Sequence, residues 1–337
     1  MPPNTLSTPL SNGSVHHEDN QITSIKSEIK SQKRWNEFET DIKWGNATFI
    51  FVLHSMCLYS LITFPYRQQF FLLLWALITA HMATFAITAG VHRLWTHRSY
   101  KAKLPLRILL ATLYYSAGMN RIYHWVRDHR IHHKYTDTEA DPHNSNRGFW
   151  FSHVGWLMMK KKNIVKQRGE GIDMTDILQD PVVQFFDRNY AKLNTLLTFI
   201  VPVFIPIFFF NQDVKWTIMS QIFIRYTYIL NVTWSVNSFA HIYGYRSYDK
   251  SIRSTENVWV SLAASGEGWH NYHHVFPWDY QAAELKSFIF NTTKFWIDFF
   301  AKIGWAYDLK YVTAQHVQKV VETKGDGTHF IHGKSKL

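Results

Sequence analysis

Four apolar runs constrain this chain more than any other feature. Residues 47–64, 69–90, 193–210 and 216–240 each approach the ~20 residues a helix needs to cross a bilayer core. They form two pairs, joined by the short linkers 65–68 and 211–215. Buried helices of a soluble protein can be apolar, but pairs with such short connections read as membrane hairpins. The fourth run carries Arg225.

Charge placement sets sidedness. Two hairpins leave residues 1–46, 91–192 and 241–337 on one side, and these hold 33 of the 36 Lys and Arg. Cation-rich loops stay cytosolic, so both termini are expected in the cytosol. The net charge of +11 then follows topology, and no recognition motif supports a nucleic-acid partner. Segment 91–192 is the most basic, with 17 cations against nine acids, which suits an acidic docking protein. The first 30 residues contain no apolar stretch, so the first run is expected to act as its own insertion signal. Residues 1–40 read as a disordered tail and 311–337 as a polar one. Residues 104–119 and 282–306 read as helices lying at the membrane face. A single cysteine, Cys57, excludes internal disulfides and cysteine-based metal sites. The expected fold is an all-α integral membrane protein, with four transmembrane helices under a cytosolic helical cap.

Histidines gather where the runs meet the cytosol. Nine of the nineteen fall in or near three clusters: His92 and His97; His129, His132 and His133; His270, His273, His274, with His241 at the end of the fourth run. In a helix, positions i, i+3 and i+4 share one face. That rule aligns His129 with His132 and His133, His270 with His273 and His274, and Asn237 with His241. His92 and His97 stand five apart, about 140° around an ideal α-helix, and are expected to straddle a helix end. Neutral imidazole is a good ligand for iron, zinc and copper. Nine candidates exceed what one ion takes, so two ions are the economical reading. Asp128, Asp137, Glu139, Asp141, Glu267 and Asp279 are candidates to hold the second ring N–H of a ligand. The remaining histidines read as structural or solvated: His54 and His81 as hydrogen-bonded interior residues, His124, His143 and His153 as supporting ones, and His316, His329 and His332 as solvated.

These motifs, HRLWTH at 92–97, DHRIHH at 128–133, TEADPH at 138–143, RGFWFSHVGW at 147–156, NSFAH at 237–241 and GEGWHNYHH at 266–274, resemble those of the membrane-bound, histidine-box, di-iron fatty acyl-CoA desaturases. The resemblance covers residues 40–310 and is closest in style to insect acyl-CoA desaturases. It implies a di-iron site in the cap, held by the nine histidines His92, His97, His129, His132, His133, His241, His270, His273 and His274, with Asn237 reaching one metal through water. It implies an acyl-CoA substrate, dioxygen, and electrons from NAD(P)H through a reductase and cytochrome b5, here a separate protein. Asn46, Asn120, Arg127, Asp128, Lys160 and Lys161 match positions that contact CoA. Trp125, Thr233 and Trp234 match the bend of an internal acyl tunnel, and Ala80 and Thr84 its far end. Met119 stands where relatives commonly carry glutamine, His124 where an acid is common, and Phe239 where alanine is usual, so an altered tunnel is expected.

The same boxes would serve a membrane hydroxylase or a bifunctional enzyme. A histidine-rich metal transporter would place its ligands at mid-membrane depth, whereas these cluster at one face. The expected location is the endoplasmic reticulum membrane. The chain ends Ser335-Lys336-Leu337, a peroxisomal address that serves mainly soluble proteins.

Overall fold

A computed structural model describes residues 40–284 and 290–329. The tail expected over 1–40 therefore lies, but for Thr40, outside the described residues, as do His332 and the Ser-Lys-Leu end.

Three helices among the described residues are long and apolar enough to cross a membrane: Trp44–Thr63, Phe70–Thr96 and Tyr190–Phe210. Their outer faces carry Phe51, Ile62, Phe70, Phe208 and Phe209, each roughly two-thirds exposed or more. Apolar surface on that scale needs a cover, which a bilayer supplies. The first helix stops at Phe64, which turns extended just before Pro65. The third ends on Asn211 in the left-handed conformation, a stop that asparagine tolerates. The fourth run is helical from Val214 to Ile242. Asp213 caps it by accepting from the Trp216 N–H at 2.9 Å.

The second helix is longer than its apolar run. From Ala86 to Thr96 it loosens into a π-helix, carrying His92 beyond the apolar stretch. Such i→i+5 turns are rare, and gather at functional sites. A second π stretch, Met219–Arg225, interrupts the fourth run.

The cap packs around this π segment. Helix Ile122–Lys134 lies against it, as does Leu104–Tyr115, with Pro105 in its first turn. Val91, Leu110, Tyr114, Val126 and Val183 are among the fully buried residues between them. Helix Pro181–Arg188 starts on Asp180, which accepts from the Val182 and Val183 N–H groups at 2.8 and 3.1 Å. A two-residue antiparallel pairing, Lys101 opposite Tyr307 and Ala102 opposite Ala306, ties the end of the first histidine box to the C-terminal part.

Two segments differ from expectation. Among the described residues of 282–306 the structure gives a helix only over Thr292–Lys302, starting on the Asn291 side chain, which accepts from the Lys294 N–H. Residues 311–329 include the helix Ala314–Lys324. Its Val317 and Val321 pack on Tyr248, Tyr272 and Phe276; burying two valines contributes ~1.5–3 kcal/mol each.

Candidate metal centre and substrate cavity

The nine histidines form two groups whose ring nitrogens converge. His92, His97, His129, His133 and His273 make one; His132, His241, His270 and His274 make the other. The i, i+4 spacing does this directly on helices Ile122–Lys134 and His270–Val275, pairing His129 with His133 and His270 with His274, while the i+3 members His132 and His273 each join the opposite group. His92 and His97 meet by another route. The His97 N–H donates to the His92 carbonyl at 3.1 Å, an i→i+5 turn, and the two rings lie 4.8 Å apart. On an α-helix they would diverge; on the π-helix they share a face.

Nε2 atoms oppose one another throughout. In the first group His92 to His273 is 2.9 Å, His273 to His133 3.0 Å and His133 to His129 3.2 Å. In the second, His270 to His241 is 3.0 Å, His274 to His270 3.1 Å and His132 to His274 3.2 Å. Ligands at right angles on an ion with ~2.1 Å metal–nitrogen bonds sit ~3.0 Å apart. Carboxylates hold the outer nitrogens of two rings. Glu267 Oε2 lies 2.8 Å from His92 Nδ1, and both Asp141 oxygens lie 3.0 Å from His132 Nδ1. With Nδ1 carrying the proton, Nε2 of each presents a lone pair to another ring nitrogen. A cation between the rings resolves that repulsion, so the residues fit a metal in each group.

Electrostatics agree. Burial, reinforced by neighbouring imidazoles, holds His97, His129, His132, His133, His273 and His274 well below the ordinary histidine value. His270 falls to about 3 for the same reasons. These seven rings are neutral at pH 7, the form that binds metal. Burial alone would raise the Glu267 carboxyl, but His92 and Arg93 outweigh it and hold it at about 2.

Of the six candidate acids, three face ligands. Asp137 approaches His241 Nδ1 at 3.9 Å, beside Glu267 and Asp141. The others are engaged elsewhere. Asp128 pairs with Lys161, Glu139 with Lys162, and Asp279 accepts from the Tyr272 hydroxyl at 2.8 Å.

Two cavities adjoin the metal groups. The larger, about 280 Å³, is lined by Asn46, Met119, Asn120, Trp125, Asp128, Thr233, Trp234 and Asn237, along with Trp156, Tyr190 and Tyr226. The smaller, about 50 Å³, is bounded by Thr84, Thr88, Val232, Val236, His92 and His270. They share Trp125, His129, Thr233 and Asn237. Of the expected bend residues, Trp125 and Thr233 line both cavities and Trp234 the larger alone, while Thr84 lines the smaller.

Other expectations fall elsewhere. Ala80 lines neither cavity; it is 1% exposed within the core. Arg127 lines neither and rests over the Tyr123 ring. Lys160 and Lys161 edge a separate neighbouring hollow with Glu139 and Asp141, and Lys160 pairs with Asp41 at 2.9 Å. Phe239 is 40% exposed and packs on Phe149, 4.9 Å away, so it does not shape the cavities. His124 packs beside Tyr123. Met119 is the departure that reaches the larger cavity.

Histidines outside the metal groups split. His54 donates from Nδ1 to the Ile50 carbonyl at 2.7 Å and accepts at Nε2 from the Asn231 amide at 3.0 Å. His153 likewise meets Ser238 and Asn231. His81, expected in the interior, is exposed on the outer face of its helix. His329, expected in solvent, is 4% exposed and 2.7 Å from Glu284. His143 joins His132 and Asp141 in a third buried group and lines the larger cavity. Sequence reasoning also gave Trp156 no role. Its indole N–H is buried and unpartnered beside that cavity; the RGFWFSHVGW motif was the available signal.

Comparison with known proteins agrees with this arrangement. The family model described as fatty acid desaturase matches residues 69–284. The chain is 46% identical over 304 residues to an acyl-CoA Delta-9 desaturase of Acheta domesticus, covering 90% of this chain and 85% of that protein. It is 44% identical over 319 residues to stearoyl-CoA desaturase of Homo sapiens, covering 94% and 88%. It is 48% identical over 255 residues to an acyl-CoA Delta(11) desaturase of Choristoneura rosaceana, covering 75% of each. With a metal-type histidine centre, a cavity beside it and relatives along most of its length, the chain belongs to the fatty acid desaturase family.

Proposed function

We propose that this protein is an acyl-CoA desaturase that introduces a double bond into a long-chain acyl-CoA in the endoplasmic reticulum membrane. The observation that carries the reading is the pair of converging imidazole groups beside a largely apolar two-part cavity. Four membrane spans put the cap and both termini in the cytosol. One iron is held by His92, His97, His129, His133 and His273. The other is held by His132, His241, His270 and His274, with Asn237 nearby through water.

Bound iron supplies the oxidising power, drawn from dioxygen, that an unactivated methylene pair requires. The balance is one –CH2–CH2– unit, O2, two electrons and two protons giving –CH=CH– and two waters. Cytochrome b5 and its NAD(P)H-dependent reductase deliver the electrons. The chain's own residues bind and orient. Asn46, Asn120 and Asp128 meet the CoA end of the substrate at the larger cavity, and Arg127, Lys160 and Lys161 add positive charge outside it. Trp125, Thr233 and Trp234 turn the acyl chain past the metal groups, and Met119 and Thr84 shape its path. Confinement of this kind fixes which carbons face the metals and keeps water away.

Expression in a yeast strain lacking its own desaturase tests the reading, with double bonds mapped by mass spectrometry. New unsaturated acyl chains are expected, absent with His132→Ala. An unchanged lipid profile, or hydroxylated chains in place of alkenes, would overturn it.

A further inference from the structure

The turn at residues 115–120 (YSAGMN) joins helix Leu104–Tyr115 to the histidine-bearing helix Ile122–Lys134. Its Gly118, Met119 and Asn120 line the larger cavity. A turn lacks helix or sheet partners, and carbonyls in one that is half-buried must be satisfied in other ways. Here side chains satisfy five of the six. The Tyr115 carbonyl accepts from the Thr198 hydroxyl at 2.7 Å, and that of Ser116 from Arg225 Nη1 at 3.2 Å. The Gly118 carbonyl accepts from the Tyr226 hydroxyl at 3.0 Å, and that of Met119 from the Tyr190 hydroxyl at 3.2 Å. The Asn120 carbonyl accepts from the Tyr114 hydroxyl at 2.6 Å. The donors come from three separate helices.

Arg225 is the centre of this cradle. It is 1% exposed, and it also donates to the Gln221 and Thr198 carbonyls. Every one of these acceptors is a backbone carbonyl, so the guanidinium acts as a fork holding backbone in place. A buried cation is costly unless its donors are satisfied. Gly118 closes the packing: its φ is +68°, and a Cβ there would collide with the Tyr226 ring and come within 2.9 Å of the Thr198 methyl.

We propose that this cradle determines where the double bond is placed. Arg225, Thr198 and Tyr114 are positioning residues, absent from the lining of either cavity, that fix the wall carrying Met119. Successive methylenes of an acyl chain are chemically alike, so only the position of the wall relative to the metals tells one pair from the next. The inference rests on the acyl-CoA desaturation reading and adds a determinant outside the cavity.

The test uses full-length, metal-loaded protein, one saturated acyl-CoA, and mass-spectrometric mapping of the product. Arg225→Lys keeps the charge and removes the fork. Tyr114→Phe removes a single hydroxyl. The ratio of positional isomers is read at matched iron content, so mere loss of folded protein does not move it. One hydrogen bond lost from a wall is worth about fivefold in such a ratio, so an adjacent-position isomer should rise about fivefold in either variant. Should Arg225→Lys fail to retain iron, the Tyr114→Phe ratio decides alone. Alkene formed with the wild-type ratio in iron-loaded variants overturns the cradle and leaves the enzyme reading intact. A wild type that forms no alkene overturns both.

Discussion

Glu267 Oε2 stands 2.8 Å from Nδ1 of His92, while its other oxygen takes the Arg93 guanidinium at 2.8 Å. The carboxylate thus links the first histidine box to the third and fixes which His92 nitrogen faces the metal group. Replacing Glu267 by Gln keeps the shape and removes the charge. Loss of such an outer partner costs ~10–100-fold in metal affinity. Titration of the protein with a chelator should show release at correspondingly lower concentrations in Glu267→Gln. Equal release would separate Glu267 from the metal site.

Arg130 ties the second histidine box to the first. It donates to the Trp95 carbonyl at 2.8 Å and to both Asp176 oxygens at 2.9 and 2.8 Å. Burial would raise the Asp176 carboxyl, but Arg130 and Arg98 overcome it and hold it at about 2, against an ordinary 3.8. A carboxyl depressed in the folded state stabilises fully above its unfolded value, and the contribution fades as pH falls through the folded value. The window is therefore pH 4 down to 2. Thermal unfolding of Asp176→Asn should lie below wild type at pH 7, with the gap closing below pH 4. A gap unchanged at pH 3 would assign the effect to packing.

Met119 reaches the larger cavity, at a position where the resemblance of the motifs leads one to expect glutamine. Met119→Gln should shift chain-length preference or double-bond position, because a polar amide replaces an adaptable thioether along the acyl path. Unchanged products across a series of saturated acyl-CoAs would remove Met119 from the specificity account.

His329 is buried against Tyr248 and meets Glu284, which also accepts from the Tyr248 hydroxyl at 2.9 Å. His329→Ala leaves those partners short of a donor inside the fold. The cost of such a loss is ~1–3 kcal/mol, to be read as lower thermal stability of the detergent-solubilised protein. An unchanged midpoint would return His329 to the solvated role that its polar sequence suggested.

The helical boxes were legible because i, i+3 and i+4 spacing is a property of the α-helix itself. His129 with His133, and His270 with His274, needed nothing beyond that rule, whereas His132 and His273 each serve the other group. His92 and His97 were not legible in the same way, since a π-helix is selected by packing around Ala86–Thr96 and leaves no periodic mark. Acidic partners were half legible: a carboxylate near a histidine in sequence can as easily find a lysine, as Asp128 and Glu139 do. The C-terminal helix was missed because its two buried valines are spaced within an otherwise polar stretch. The cradle around 115–120 was invisible, because its five donors are scattered from Tyr114 to Tyr226 and meet only in three dimensions.

The central claim is that nine imidazoles hold two metal ions, and metal analysis of the purified full-length protein tests it most directly. The account predicts close to two irons per chain in the wild type, with clear loss in His132→Ala and in His97→Ala, one ligand from each group. A folded wild-type protein purified with iron supplied that holds one metal or none per chain would contradict it.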